Sequence, residues 1–283
     1  MCTEMYYFSG TGNSLFAARE LAQRIPDATL FPIVGLLNNK TVQTRGKKVG
    51  LVFPVHDSTI PSAVKEFLLK LDLTQSDYIF AVATKQGGEF HGFEKINRIL
   101  KRKGKRLNAG FMLKMCGNDS GNSEYGVPGE ADILALEKIV LMKLDAIKDV
   151  VIKKETYHEQ RPASGSPAPG RPITSYLFEK ITLSGKAVSE FIGKANRFSC
   201  DDTCFGCGIC EKVCLSKKIS MRDRKPVWDK GKVCYRCYAC LNFCPQDSIR
   251  VRDIPGIKSF SPENGRRPHP YATAPMIAKQ KIS

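Results

Sequence analysis

Residues 204–214 read CFGCGICEKVC, and residues 234–244 read CYRCYACLNFC. Both runs follow C-x2-C-x2-C-x3-C, which places Cys204, Cys207, Cys210 and Cys214 in the first and Cys234, Cys237, Cys240 and Cys244 in the second. Three cysteines at successive spacings of three can bend round one iron–sulfur cubane and fill three of its corners. The fourth sits too far along the turn to close the same cage, and ligates the other. The expected assignment is crossed: Cys204, Cys207, Cys210 and Cys244 on one 4Fe-4S cluster, Cys234, Cys237, Cys240 and Cys214 on the second. Structural zinc also uses C-x2-C pairs, but two pairs per ion suffice and the tripled spacing would go unexplained.

Outward from the cysteines, KKISM at 217–221 is echoed by DSIRV at 247–251, so the repeat includes a short extended segment behind each run. Residues 198–253 resemble the bacterial two-cluster ferredoxins. Pro245 follows the last cysteine as that pattern asks, and Leu215 stands where the first half would usually carry proline. The resemblance implies a small α+β domain that passes electrons.

At the other end, EMYYF at 4–8 reads as a buried strand and runs straight into SGTGNS at 9–14. A helix follows with Leu15, Ala18, Ala22 and Ile25 on one face and Pro26 behind it. A turn of small and hydroxyl residues between strand and helix N-terminus aims backbone N–H groups and hydroxyls at one point, which suits a phosphate. The turn lacks both the lysine of a nucleoside-triphosphate loop and the G-x-G-x-x-G of a dinucleotide fold. Such donors suit a terminal monophosphate such as that of FMN.

Four more strand-like runs follow, ATLFPIV, KKVGLVFPV, DYIFAVAT and RLNAGFMLKM, separated by amphipathic segments. Alternating strands and helices with continuously apolar strands predict a parallel sheet covered on both faces. Residues 3–152 resemble a flavodoxin, with GTGNS as the residue-level match. The resemblance implies a doubly wound α/β fold of five parallel strands with FMN at the carboxyl ends of the strands. Ser9, Gly10, Thr11, Gly12, Asn13 and Ser14 would then hold the FMN phosphate. Pro54, Val55 and His56 would form one wall of the ring site, and Thr84, Gln86, Gly87 and Gly88 the other. His56 could stack on the ring or be an ordinary loop histidine; Gly87 and Gly88 could admit the flavin or only make a turn. The polar GLLNNKTVQTRG between the second and third strands predicts a shortened crossover.

The expected domains are 1–152, a linker and helical bridge at 153–197, the cysteine-rich domain at 198–253 and a basic, proline-containing tail at 254–283 that is mobile or draped over the surface. The bridge centres on residues 173–196. The formal charge of +16 favours an acidic redox partner protein. The basic run from Arg98 to Arg106 reads first as the solvated end of a helix. Cys2, Cys116 and Cys200 fall outside the repeat and read as inert thiols. No nucleic-acid motif and no spanning apolar run is visible, and a cytoplasmic location is expected. The order of the two halves resembles the flavodoxin–ferredoxin fusion proteins of anaerobes, which implies electron transfer between FMN and two 4Fe-4S clusters without an acid, base or nucleophile. An FMN-dependent reductase of a small substrate or NAD(P)H, and a cluster-based sensor on nucleic acid, are the alternatives.

Overall fold

The computed structural model describes residues 2–56, 58–87, 90–118, 129–159, 198–251 and 266–282. The helical bridge expected at 173–196, Gly88 and the start of the tail lie outside the described residues.

The first half alternates strands and helices: β1 (Thr3–Tyr7), α1 (Asn13–Arg24), β2 (Ala28–Pro32), β3 (Lys48–Pro54), α2 (Ser62–Lys70), β4 (Tyr78–Lys85), α3 (Gly92–Lys101), β5 (Ala109–Lys114), α4 (Glu130–Lys153) and β6 (Tyr157–His158). The strands form one parallel sheet in the order β2-β1-β3-β4-β5-β6. Successive strand residues face opposite sides, so Leu51 and Phe53 enter one core with Val64 and Phe67 of α2. Val52, Phe80 and Val82 enter the other with Leu21 of α1 and Leu144 of α4. Both faces are covered, hence the unbroken apolar runs.

The five strands expected become six. Tyr157 and His158 pair in parallel with Ala109 and Gly110, beyond the boundary drawn at 152. Two exposed residues offer no periodicity from which a strand could be read. The edge is tied by Glu159, whose carboxylate accepts the Met112 N–H at 2.6 Å and meets Lys143 Nζ at 2.6 Å. The crossover between β2 and β3 is shortened, as the polar segment requires: one helical turn, Ile33–Leu36, and two residues, Val42–Gln43, paired with Leu71–Asp72. In the basic run, Lys103 Nζ donates to the carbonyls of Leu69 and Leu71, and Lys105 Nζ to that of Ser76. These lysines serve carbonyls at and beyond the end of α2.

The second half is β7 (Phe198–Cys200), α5 (Ile209–Val213), β8 (Ile219–Arg222), β9 (Lys225–Trp228), α6 (Ala239–Asn242) and β10 (Ile249–Val251). It repeats itself after 30 residues at the level of single backbone angles. Left-handed φ occurs at Gly206 and Arg236 (82° and 52°), Gly208 and Tyr238 (73° and 53°), and Lys217 and Asp247 (52° and 49°). The halves interleave: β7 pairs antiparallel with β10 and β8 with β9, while the equivalent rings of Phe198 and Trp228 stack at 6.3 Å.

The described part of the tail, residues 266–282, is packed in place rather than mobile or draped over the surface. Residues 266–282 lie in the seam between the halves, where the short helix α7 (Ala274–Ala278) buries Ile277 completely. Burying that side chain stabilises the docked tail by about 2 kcal/mol. One apolar cluster runs through the seam, joining Phe8 and Phe53 of the sheet domain to Val213, Leu215, Ala239 and Ile277. No helix among the described residues is long and apolar enough to cross a membrane.

Candidate functional site

The paired left-handed residues curl each cysteine run, and the interleaved strands bring the last cysteine of one run to the first three of the other. Burial pushes the Cys210 thiol up to about 12, and the adjacent thiols of Cys207, Cys244 and Cys204 push it further the same way. Cys237 stands at about 12 through burial, with Cys234 and Cys214 adding to it. Cys240 is raised well above the ordinary value by burial, then by Cys234, Cys237 and Cys214, with Cys210 last. The neighbourhoods therefore follow the crossed sets: Cys244 among Cys204, Cys207 and Cys210, and Cys214 among Cys234, Cys237 and Cys240. Among the described residues no three His, Cys, Asp or Glu side chains converge on a point that one metal ion could occupy.

Backbone N–H groups point at sulfur in both halves. Lys218 N donates to Cys214 Sγ at 3.3 Å, and Ser248 N, 30 residues on, to Cys244 Sγ at 3.3 Å. Arg236 N donates to Cys234 Sγ at 3.4 Å. The two centres face different ways. Cys207 is exposed, whereas the chain at its counterpart Cys237 lies on Gly10 so closely that a Cβ there would come within 2.1 Å of the Cys237 carbonyl oxygen.

That contact falls on the loop expected to hold a phosphate. Ser9 N–H donates to Gln280 Oε1 at 3.0 Å, and Gln280 Nε2 donates back to the Ser9 carbonyl at 2.7 Å. Ser9 Oγ accepts from Gly12 N, and the Thr11 carbonyl accepts from His269 N at 2.8 Å. Asn13 Nδ2 donates to the Cys116 carbonyl and to Asn118 Oδ1, and Ser14 Oγ shares a hydrogen bond with Thr84 Oγ1. Gly12 has φ 109°, and a Cβ on it would meet Ala272 Cβ at 2.3 Å and His269 Cβ at 2.8 Å. The His269 ring stacks on Phe16 at 4.4 Å, and burial holds its pKa down at about 4.

Over the strand ends, the edge of Tyr235 meets Phe8 at 6.0 Å, and Phe8 meets His56 at 6.1 Å. His56 closes a tight turn with Thr59 through two backbone bonds. Val55, which follows Pro54 at the end of β3, packs into the shared core, the Gln86 amide lies over Gly117, and a Cβ on Gly87 would meet nothing. A cavity of about 140 Å³ beside Asn13, Asn118 and His269 is too small for FMN, which needs several hundred Å³. A second of about 310 Å³, between α1, α4 and the tail, touches the loop at Gly12 and none of the ring-wall residues. Chain atoms of Cys237, His269, Ala272 and Gln280 lie against the loop, and Tyr235 lies beside Phe8 over the strand ends. Sequence reasoning did not foresee these contacts, because partners as far apart as Ser9 and Gln280, 271 residues, leave no local pattern.

No protein-family model matches the sequence, and no curated protein does. Solved structures similar to the first half include a flavodoxin from the domain Archaea, 11% identical, covering 53% of this chain and 99% of that one with a TM-score of 0.34. They also include two-electron reduced Megasphaera elsdenii flavodoxin (14% identical, 50% and 98% covered, TM-score 0.31) and a Bacillus anthracis FMN-dependent NADH-azoreductase in complex with FMN (10%, 52% and 100%, 0.32). Such distant likenesses carry no ligand across. The strand order stands by itself: β2-β1-β3-β4-β5 is the flavodoxin order, and the first half has a flavodoxin-like α/β fold with six parallel strands.

Proposed function

We propose that the chain is an electron-transfer protein with two 4Fe-4S clusters, one on Cys204, Cys207, Cys210 and Cys244, the other on Cys214, Cys234, Cys237 and Cys240. The observation that carries this is the crossed gathering of the thiols. Buried, crowded thiols resist ionisation unless a metal takes their charge, and Cys210, Cys234, Cys237 and Cys240 are raised in this way. When bound, the clusters supply one-electron chemistry at potentials the surroundings tune. The chain's part is to hold and screen them. The N–H groups of Lys218, Ser248 and Arg236 stabilise charge on sulfur, and Phe198, Ile219, Leu241 and Ile249 keep water from the centres. Around exposed Cys207, Arg224 and Lys225 donate to the carbonyls of Phe205 and Cys204, and such cations suit an acidic partner protein.

FMN is proposed as a second redox group of the sheet domain, for an arrangement in which the tail and the Cys237 face have left the loop. The support is the SGTGNS turn between β1 and α1, set where strand order reverses. No side chain need act as acid, base or nucleophile.

The function is tested by reducing anaerobically reconstituted protein and following its paramagnetic resonance. About two spins per chain, returned to silence when a one-electron acceptor is added, is the expected result. A chain that holds iron yet takes up no electrons is not a carrier.

A further inference from the structure

Lys218 is 1% exposed, unusual for a lysine. Its Nζ donates to the carbonyls of Asp229 at 2.5 Å and Lys232 at 2.6 Å, on the segment that leads into Cys234. Its backbone N–H meets Cys214 Sγ at 3.3 Å. The lysine therefore ties Cys214 to the segment that runs into Cys234. In the other half the equivalent position is Ser248, whose N–H makes the same bond to Cys244 Sγ and whose hydroxyl pairs with Thr203 Oγ1 at 2.8 Å. The backbone frames match, and one carries a buried cation where the other carries a neutral hydroxyl.

The two bonds made by the ammonium go to carbonyl dipoles. The Asp229 carboxylate lies instead by the Gly231 N–H at 2.8 Å and Lys232 Nζ at 3.7 Å, half in solvent. A buried ammonium costs several kcal/mol without a counter-charge. A thiolate-bound iron–sulfur cluster is an anion, and gains a further negative charge on reduction.

Resting on the two-cluster reading, we propose that Lys218 makes the cluster of Cys214, Cys234, Cys237 and Cys240 the higher-potential member of the pair. An electron arriving at the exposed Cys207 side then settles on the inner centre, against the sheet domain. The attraction is greater for the reduced cluster than for the oxidised one, which raises the potential. The chain thereby has a polarity that its near-symmetric repeat lacks.

The test is a potentiometric titration of the loaded full chain, read by paramagnetic resonance, for wild type, Lys218→Gln, Lys218→Met and Lys218→Arg. Wild type should show two separated reduction steps. In Lys218→Gln and Lys218→Met only the higher step should fall, by at least about tenfold in the reduced-to-oxidised ratio at fixed potential, or about 59 mV. Lys218→Arg should keep it near the wild-type value. Two steps that coincide in wild type, movement of the lower step, equal movement of both, or no movement in a variant that keeps its iron would each overturn the proposal. Iron absent from wild type would instead remove the two-cluster reading, and the iron count separates the two failures.

Discussion

Cys244→Ala is expected to destroy the cluster held by Cys204, Cys207 and Cys210, and to spare the one held by the run in which Cys244 itself lies. The iron content should fall from about eight per chain to about four. Cys244 is 8% exposed and its thiol crowds Cys210, so no solvent ligand stands ready to replace it. A double replacement separates crossed from uncrossed ligation, because changes within one unit are not additive while those in separate units are. Cys244→Ala with Cys207→Ala should lose no more iron than either alone. Cys244→Ala with Cys237→Ala should lose nearly all of it. The opposite pattern would mean that each run closes its own cluster.

The second large effect concerns the covered loop. Gln280 is fully buried, and its amide satisfies both backbone groups of Ser9. Losing it leaves buried polar groups unpaired at about 1–3 kcal/mol each. Gln280→Ala should therefore loosen the tail, and FMN, followed by quenching of its fluorescence, should bind at least about tenfold more tightly than to wild type. A chain ending at residue 265 should behave likewise.

Acid should act in the same direction. His269 has its pKa depressed from 6.5 to about 4 by burial. A depressed value in the docked state means that the contribution is complete above pH 6.5 and is lost as pH falls through about 4. Its full extent is about 3 kcal/mol. Amide exchange of residues 266–282, corrected for intrinsic rates, should rise between pH 7 and 5 in wild type and stay level in His269→Gln. Equal FMN affinity in wild type and Gln280→Ala, with the tail released in the latter, would show that tail and flavin do not compete. No binding to any variant would leave the loop as a joint between the halves.

What could be read in advance was whatever the chain writes locally. The cysteine spacing, the echo of KKISM in DSIRV and the unbroken apolar strands each depend on neighbours within a few residues, and they led to the repeat and to the parallel sheet. The sixth strand was not legible because Tyr157 and His158 are paired and exposed, without alternation. Nor was the tail: Ile277 is its single buried apolar side chain among the described residues, and its partners lie in both halves. The small and hydroxyl residues of SGTGNS were read as aiming backbone N–H groups and hydroxyls at a phosphate. In the folded chain Gly10 and Gly12 make room for Cys237, His269 and Ala272. Lys218 looked like one of many lysines in a strongly basic chain until the fold buried it.

All of these expectations depend on what the eight thiols hold. Iron, acid-labile sulfide and zinc should be counted per chain on protein purified without oxygen. The account predicts about eight irons and about eight sulfides with negligible zinc. Two zinc ions without sulfide would contradict it, and would turn the cysteine-rich half into a structural module with no electron to carry.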